Sequence, residues 1–243
     1  MAADGQRHIL AIGGFGPPRQ QDPRLPALIR HAVELSGAAQ PRVCMLNTAA
    51  GDEPTAYVQM YAMLAELGAR PSHLQLFSMP NVADPADLLL SQDVIFVGGG
   101  SVANMVAVWR VHGLDEVFRQ AWQAGIVLAG VSAGAICWFD GGTTDSFGPA
   151  LRPFTAGLRF LTGSYCPHYS SEPTRRPAYE ALVADGTLPA GVACDDGAAA
   201  HFAGTELAGI VADRPGATAY LVRPDGAGGS HHEPLKVRTL LPD

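Results

Sequence analysis

From Gln120 to Phe139 the chain carries no charged side chain. A stretch like this has few places to go. It is nearly long enough to cross a bilayer, yet Gly125, Gly130, Ser132 and Gly134 interrupt it and its middle reads as a turn. An apolar run (Gly125-Ile126-Val127-Leu128-Ala129), a small-residue turn (Gly130-Val131-Ser132-Ala133-Gly134) and a second apolar run (Ala135 to Phe139) predict a buried strand, a sharp turn and the buried start of a helix. The turn fits G-x-S-x-G, in which a serine hydroxyl stands exposed at the end of a buried strand and the flanking glycines let strand and helix approach. The next helix turns its N-terminal amides toward any charge that forms near the serine. Five residues also match by chance, as a small-residue turn that merely contains serine. The partners of Ser132 have to come from the rest of the chain.

Other apolar runs share the pattern. His8 to Ile12 ends in Gly13-Gly14, and Asp93 to Val97 ends in Gly98-Gly99-Gly100. Further strands are expected at Arg42–Asn47 and Leu74–Phe77. Helical spacing marks Leu25–Leu35, Tyr57–Leu67 with Gly68 as its stop, a short helix within Pro80–Leu90, then Val102–Trp109 and Leu114–Ala124, split at Gly113. Strands that are continuous apolar runs and alternate with helices predict an α/β fold, a mostly parallel sheet with helices on both faces. Ligands in such sheets bind beyond the carboxyl ends of the strands, which puts Ser132 and the triple glycine on one edge. Asp140 to Gly157 reads as a long loop, Tyr165 to Tyr169 as a strand end and Thr174 to Ala184 as a helix. From Gly191 onward, short runs between Gly, Asp and Pro turns predict antiparallel strands, with a flexible turn over Gly226–His232 before a last strand at Leu235–Leu240. No internal repeat or linker divides the 243 residues, so a single domain over 1–243 is expected.

With 47% hydrophobic and 16% charged residues the chain can bury a large core, which excludes a disordered class. The net charge of −7 and the lack of any Lys/Arg cluster argue against a nucleic-acid partner. Cys44, Cys137, Cys166 and Cys194 are widely spaced, each among apolar residues, with no C-x-x-C. Buried thiols in a reducing cytoplasm fit that usage. Met1 to Arg7 lacks the apolar core of a signal peptide. No membrane association is expected. Gly13-Gly14-Phe15-Gly16 lacks both G-x-G-x-x-G spacing and a Walker lysine, and there is no H-E-x-x-H, so neither a cofactor nor a metal is expected.

A serine nucleophile needs a base, and the base needs an orienting carboxylate. Of eight histidines, His168 follows a proline at a strand end and His201 lies in an alternating strand close to Asp195-Asp196. On residue context both stay open. His231 and His232 read as part of a solvated turn, and Asp195-Asp196-Gly197 reads first as a turn by its own chemistry.

Taken in order, Val97-Gly98-Gly99-Gly100, Gly130-Val131-Ser132-Ala133-Gly134-Ala135, Thr143-Thr144-Asp145 and Pro167-His168-Tyr169 resemble the peptidase E (aspartyl dipeptidase) family of serine peptidases, with cyanophycinase a more distant relative. The resemblance runs from about residue 8 to residue 222. It implies Ser132 as nucleophile, His168 as base and Asp145 as orienting acid, with Asp140 and Glu172 as alternatives. It also implies an oxyanion hole from the amides of Gly99 and Ala133, a contact from Gly100 to the substrate, and Arg175 as the partner of an acidic substrate side chain. Losing one oxyanion donor typically costs roughly 3 kcal/mol. The guanidinium fork suits a carboxylate because it binds both oxygens. Ser101 stands where the family often has asparagine, and Ile136 to Asp140 differs from the classical members, which points to a divergent branch. The resemblance therefore implies a cytoplasmic, homodimeric serine exopeptidase that cleaves short peptides, dipeptides with N-terminal aspartate among them, without metal or cofactor. Other serine acyl hydrolases, and a catalytically silent peptide-binding member, are the alternatives.

Overall fold

The structure, a computed structural model, describes residues 7–15 and 27–240. The expected helix start at Leu25, Gly16 of the first glycine turn and the N-terminal residues 1–6 lie outside the described residues.

The apolar runs become the middle of an eight-stranded sheet. Its strands are β1 (His8–Ile12), β2 (Arg42–Leu46), β3 (Arg70–Leu74), β4 (Val94–Val97), β5 (Val127–Val131), β10 (Ala198–Ala203), β11 (Glu206–Ala212) and β14 (Val237–Thr239), in the order β14-β11-β10-β1-β5-β4-β2-β3. The run from β1 to β3 is parallel, β10 is antiparallel to β1 and β11, and β14 is parallel to β11. Alternate residues of each central strand serve opposite faces. Leu10, Ile12, Val43, Met45, Phe96 and Ala129 pack with α1 (Ala27–Glu34) and α2 (Pro54–Glu66). Ile9, Ala11, Leu46, Val97 and Leu128 pack on the other face with α3 (Pro85–Leu90), α4 (Val102–Val111), α5 (Leu114–Gln123) and an aromatic group that includes Trp109, Phe118 and Trp138. The short α3 falls where the sequence places it, with the Asp84 carboxylate accepting the Ala86 and Asp87 N–H groups at its start. Gly113 adopts a left-handed φ of 68° between α4 and α5, which is where the sequence splits them.

Two expected boundaries move for local reasons. Helix α2 begins ahead of Tyr57 because the Glu53 carboxylate accepts the Thr55 N–H and Pro54 fits the first turn. Strand β3 comes before the expected Leu74–Phe77, over the polar Arg70-Pro71-Ser72-His73. It is an edge strand, where proline and polar side chains are tolerated, while Leu74 and Leu76 still enter the core.

The expected loop from Asp140 to Gly157 is corrected. It contains β6 (Gly141–Thr144) and β7 (Arg152–Phe154), part of a second, six-stranded sheet with β8 (Ser164–Cys166), β9 (Gly191–Cys194), β12 (Ala219–Pro224) and β13 (Ser230–Pro234). Gly141 and Gly142 form a strand here because neighbouring backbone comes so close that a Cβ at either would overlap the carbonyl of Phe154 or Tyr165. Strand β13 likewise replaces the expected flexible turn at His231-His232, pairing antiparallel with β12. The strands after Gly191 pair antiparallel as expected in β10–β11, β9–β12 and β12–β13, with β14 parallel to β11 and β9 also parallel to β8. The second sheet packs Tyr165, Val192 and Cys194 toward the first, and α7 (Arg175–Ala184) covers its far side through Tyr179 and Val183 against Cys166 and Val222.

Candidate active site

Ser132 lies between β5 and the short α6 (Ala133–Ile136), at φ 55° and ψ −115°. Few non-glycine residues hold such a backbone, and it persists only where the surroundings impose it. Here they do. The Ser132 N–H donates to Ile12 O at 3.0 Å, and its carbonyl accepts from Ala135 and Ile136 at 2.9 and 3.0 Å. A Cβ at Gly130 would overlap Gly134 O, and one at Gly134 would overlap Val97 O. The two glycines are what let β5, α6 and β4 meet at this point.

His168 also has a positive φ, 54°. Its Nε2 is 2.9 Å from Ser132 Oγ and its Nδ1 is 2.6 Å from Asp196 Oδ1. An ionised carboxylate can only accept. Nδ1–H therefore donates to Asp196, which leaves the Nε2 lone pair to accept from the serine hydroxyl. The hydrogen bond from His168 holds the Asp196 carboxyl below its ordinary range against the opposing effect of burial. The Ser171 side chain and the nearby Arg214 act in the same direction. Asp196 thus stays charged at neutral pH. The three residues run Ser, His, Asp along the chain, a geometry known to recur in different chain orders.

The first glycine turn makes room for this pair. Gly14 forms a parallel bridge with Asp196, and a Cβ there would overlap the Asp196 carboxylate and sit 2.6 Å from the His168 ring. The Gly197 N–H donates to Gly14 O at 2.7 Å.

Asp145 does not reach His168, because Asp196 occupies Nδ1. It is exposed, one residue beyond β6, in a turn whose Gly148 N–H donates to its carbonyl and whose Ser146 hydroxyl accepts from Ala103 at the start of α4. The alternatives are also engaged elsewhere. Asp140 accepts from Gly163 N at 2.8 Å, and Glu172 pairs with Arg175. His201, the other candidate base, meets His8 at the start of β1, 3.0 Å between ring nitrogens. Asp196 is the partner that sequence reasoning passed over as part of a turn. One signal pointed to it: the apolar run Val192-Ala193-Cys194 ends in acids as other runs end in glycine.

Gly99 lies beside the serine, where an added Cβ would be 3.2 Å from Ser132 Cβ. Ala133 opens α6, where the first amides have no partner within the helix. Among the described residues neither the Gly99 nor the Ala133 N–H has a backbone acceptor. Gly100, at φ 134°, packs against Ala49, whose carbonyl a Cβ would overlap. Arg175 is only 4% exposed. Its Nε donates to Glu172 at 2.7 Å and its Nη1 to the Thr143 carbonyl at 3.0 Å, so it is neither a solvated helix start nor an unpaired cation.

Burial pushes the thiols of Cys44, Cys166 and Cys194 up to about 12, and Cys137 is raised for the same reason. None offers a thiolate at neutral pH. Among the described residues no group of three or more His, Cys, Asp or Glu is placed to hold a metal ion, and no helix is long and apolar enough to cross a membrane.

Comparison with known proteins places the chain in a family and gives it structural neighbours. Residues 10–210 match the model of peptidase family S51. The chain is 44% identical over 216 residues to the uncharacterized peptidase YgaJ of Bacillus subtilis (strain 168), covering 89% of this chain and 92% of that protein. It is 29% identical over 112 residues to Peptidase E of Shewanella denitrificans, covering 46% of this chain and 48% of that protein. Among solved structures, a peptidase from an acI-B1 Actinobacterium has the same fold with a TM-score of 0.66 at 18% identity, over 96% of both chains. A putative Peptidase E protein from Listeria monocytogenes EGD-e has a TM-score of 0.57 at 19% identity, over 83% of this chain and 96% of that one.

Proposed function

The chain belongs to peptidase family S51, and from that premise we propose that it is a serine exopeptidase which releases the first residue of short peptides through an acyl-enzyme on Ser132. The observation that carries the reading is the continuous chain of hydrogen bonds Ser132–His168–Asp196. Ser132 Oγ attacks the scissile carbonyl carbon as its proton passes to His168 Nε2. The carbonyl oxygen becomes an oxyanion within reach of the Gly99 and Ala133 amides, which have no competing backbone acceptor among the described residues. Asp196 steadies the imidazolium at Nδ1 and keeps the ring in the productive tautomer. His168 then gives its proton to the leaving amine and the C–N bond breaks. Water, deprotonated by the same ring, attacks the ester and frees Ser132.

Dipeptides are the proposed substrates, because the chain resembles Peptidase E. A first residue with an acidic side chain would have to draw Arg175 into a contact it now makes with Glu172 and the Thr143 carbonyl. The buried, unpaired thiols suit work in the cytoplasm. A homodimer and a single domain over 1–243 complete the proposal.

The test is a dipeptide panel scored for release of the first residue, run beside labelling with a fluorophosphonate. The wild type is expected to turn over dipeptides and to be labelled, and Ser132→Ala to do neither. Labelling without cleavage of any peptide would move the activity to ester or other amide substrates. Absence of both would make the chain a binding member of the family.

A further inference from the structure

Asp195, the residue before Asp196, takes no part in the proposed bond-breaking steps, yet it is buried, at 9% exposed. Its Oδ1 accepts the Ser170 N–H at 3.1 Å and its Oδ2 accepts the Thr218 N–H at 3.2 Å. Its own N–H donates to Thr218 O at 3.0 Å, and its carbonyl accepts from Ala198 at 3.1 Å. A Cβ at Gly13 would overlap that carbonyl. Asp195 therefore joins the loop that carries His168, the turn that carries Asp196, and the segment that leads into β12.

The loop it joins has an uncommon backbone. His168 holds a positive φ of 54°, a conformation few non-glycine residues adopt. The two amides after His168 are both tied to the residues just before Asp196: Tyr169 N–H to Cys194 O at 3.1 Å, and Ser170 N–H to the Asp195 carboxylate. One short segment, residues 194–196, thus supplies the acceptor for the His168 ring and the anchors for its backbone.

We infer that Asp195 is a positioning residue, one that sets the His168 ring against Asp196 and touches neither substrate nor reacting atoms. The inference rests on the reading of Ser132, His168 and Asp196 as the catalytic set. In a set of this kind a small misplacement far from the bond being broken is expensive in rate.

A double-mutant cycle on the full chain tests it. Asp195→Asn is expected to lower kcat on a cleaved dipeptide by about tenfold to a hundredfold with KM within about twofold, and to slow fluorophosphonate labelling of Ser132 by the same factor. In an Asp196→Asn background, where there is no longer an ionised acceptor to align with, the same change is expected to alter the residual kcat by less than about twofold. An equal loss in both backgrounds would mean that Asp195 only supports the fold, and an unchanged kcat in the single variant would remove it from the machinery altogether. Should Asp195→Asn fail to fold, Asp195→Glu carries the same comparison, because it keeps the charge but shifts the acceptor. If Asp196→Asn itself leaves kcat untouched, the catalytic reading falls, and the positioning role with it.

Discussion

His168 Nδ1 lies 2.6 Å from the carboxylate of Asp196, 28 residues further along the chain. The contact joins the end of β8 to the turn after β9, two strands that run parallel in the second sheet and so deliver their C-terminal ends to the same place. It makes the second sheet, and not the segment that leads away from Ser132, the source of both the proposed base and its acid.

The acid is the first prediction. Asp196→Asn is expected to lower kcat by about ten-thousandfold with the fold retained, because an amide at this position supports the wrong imidazole tautomer. Asp145→Asn, at an exposed turn, is expected to leave kcat within about twofold, the ordinary behaviour of a surface change. Steady-state kinetics and circular dichroism on the two variants check this, and a reversal of the two results would return the role to Asp145.

The glycine turn after β1 should matter for rate more than for stability. Gly14→Ala places a methyl group against the Asp196 carboxylate and the His168 ring. Overpacking of this kind costs about 1–3 kcal/mol of stability, while a displaced ring is expected to lower kcat by about a hundredfold or more. Thermal unfolding and kcat measured on the same preparation separate the two effects.

The Arg175–Glu172 pair gives a specificity test. Glu172→Gln removes the charge that now holds Arg175 Nε. If an acidic substrate side chain competes for that guanidinium, KM for Asp-first dipeptides should fall several-fold relative to Ala-first ones, a shift of about 1 kcal/mol between the two. Equal KM ratios in the variant and the wild type would show that Arg175 serves the loop and not the substrate.

Stability should fall on the acid side because of a histidine cluster remote from Ser132. His31 on α1 and His201 on β10 are each held down to about 4, chiefly by burial, with Arg238 and His8 adding to the effect. Among the described residues His31 Nε2 has no hydrogen-bond partner, while Glu34 lies 3.8 Å from its Nδ1. In the unfolded chain these rings titrate near 6.5. Between roughly pH 6.5 and 4 the unfolded state therefore binds the extra protons, so stability is full above that window and is lost as pH falls through it. A Tm series from about pH 7.5 to 4.5 is expected to decline, and His31→Leu is expected to flatten the decline. An unchanged slope in the variant would place the acid sensitivity elsewhere.

The sequence alone determined the centre of the molecule. The runs at β1, β2, β4 and β5 are apolar on both faces, a pattern that only a covered parallel sheet satisfies. The glycine-rich ends of β1, β4 and β5 mark the edge where Ser132 and Gly99 meet. These are local properties, carried by residues close in the chain. Tertiary structure decided the rest. Strands β6 and β13 have little apolar character of their own, and they exist because neighbours supply their hydrogen bonds and, at Gly141 and Gly142, leave no room for a side chain. Arg175, which the resemblance offers to an acidic substrate, is held instead by Glu172 and the Thr143 carbonyl. The orienting acid is of the same kind. The resemblance implies Asp145, with Asp140 and Glu172 as alternatives, while Asp196 reads first as part of a turn. What places Asp196 beside His168 is the pairing of β8 with β9 in the second sheet, a relation between distant segments.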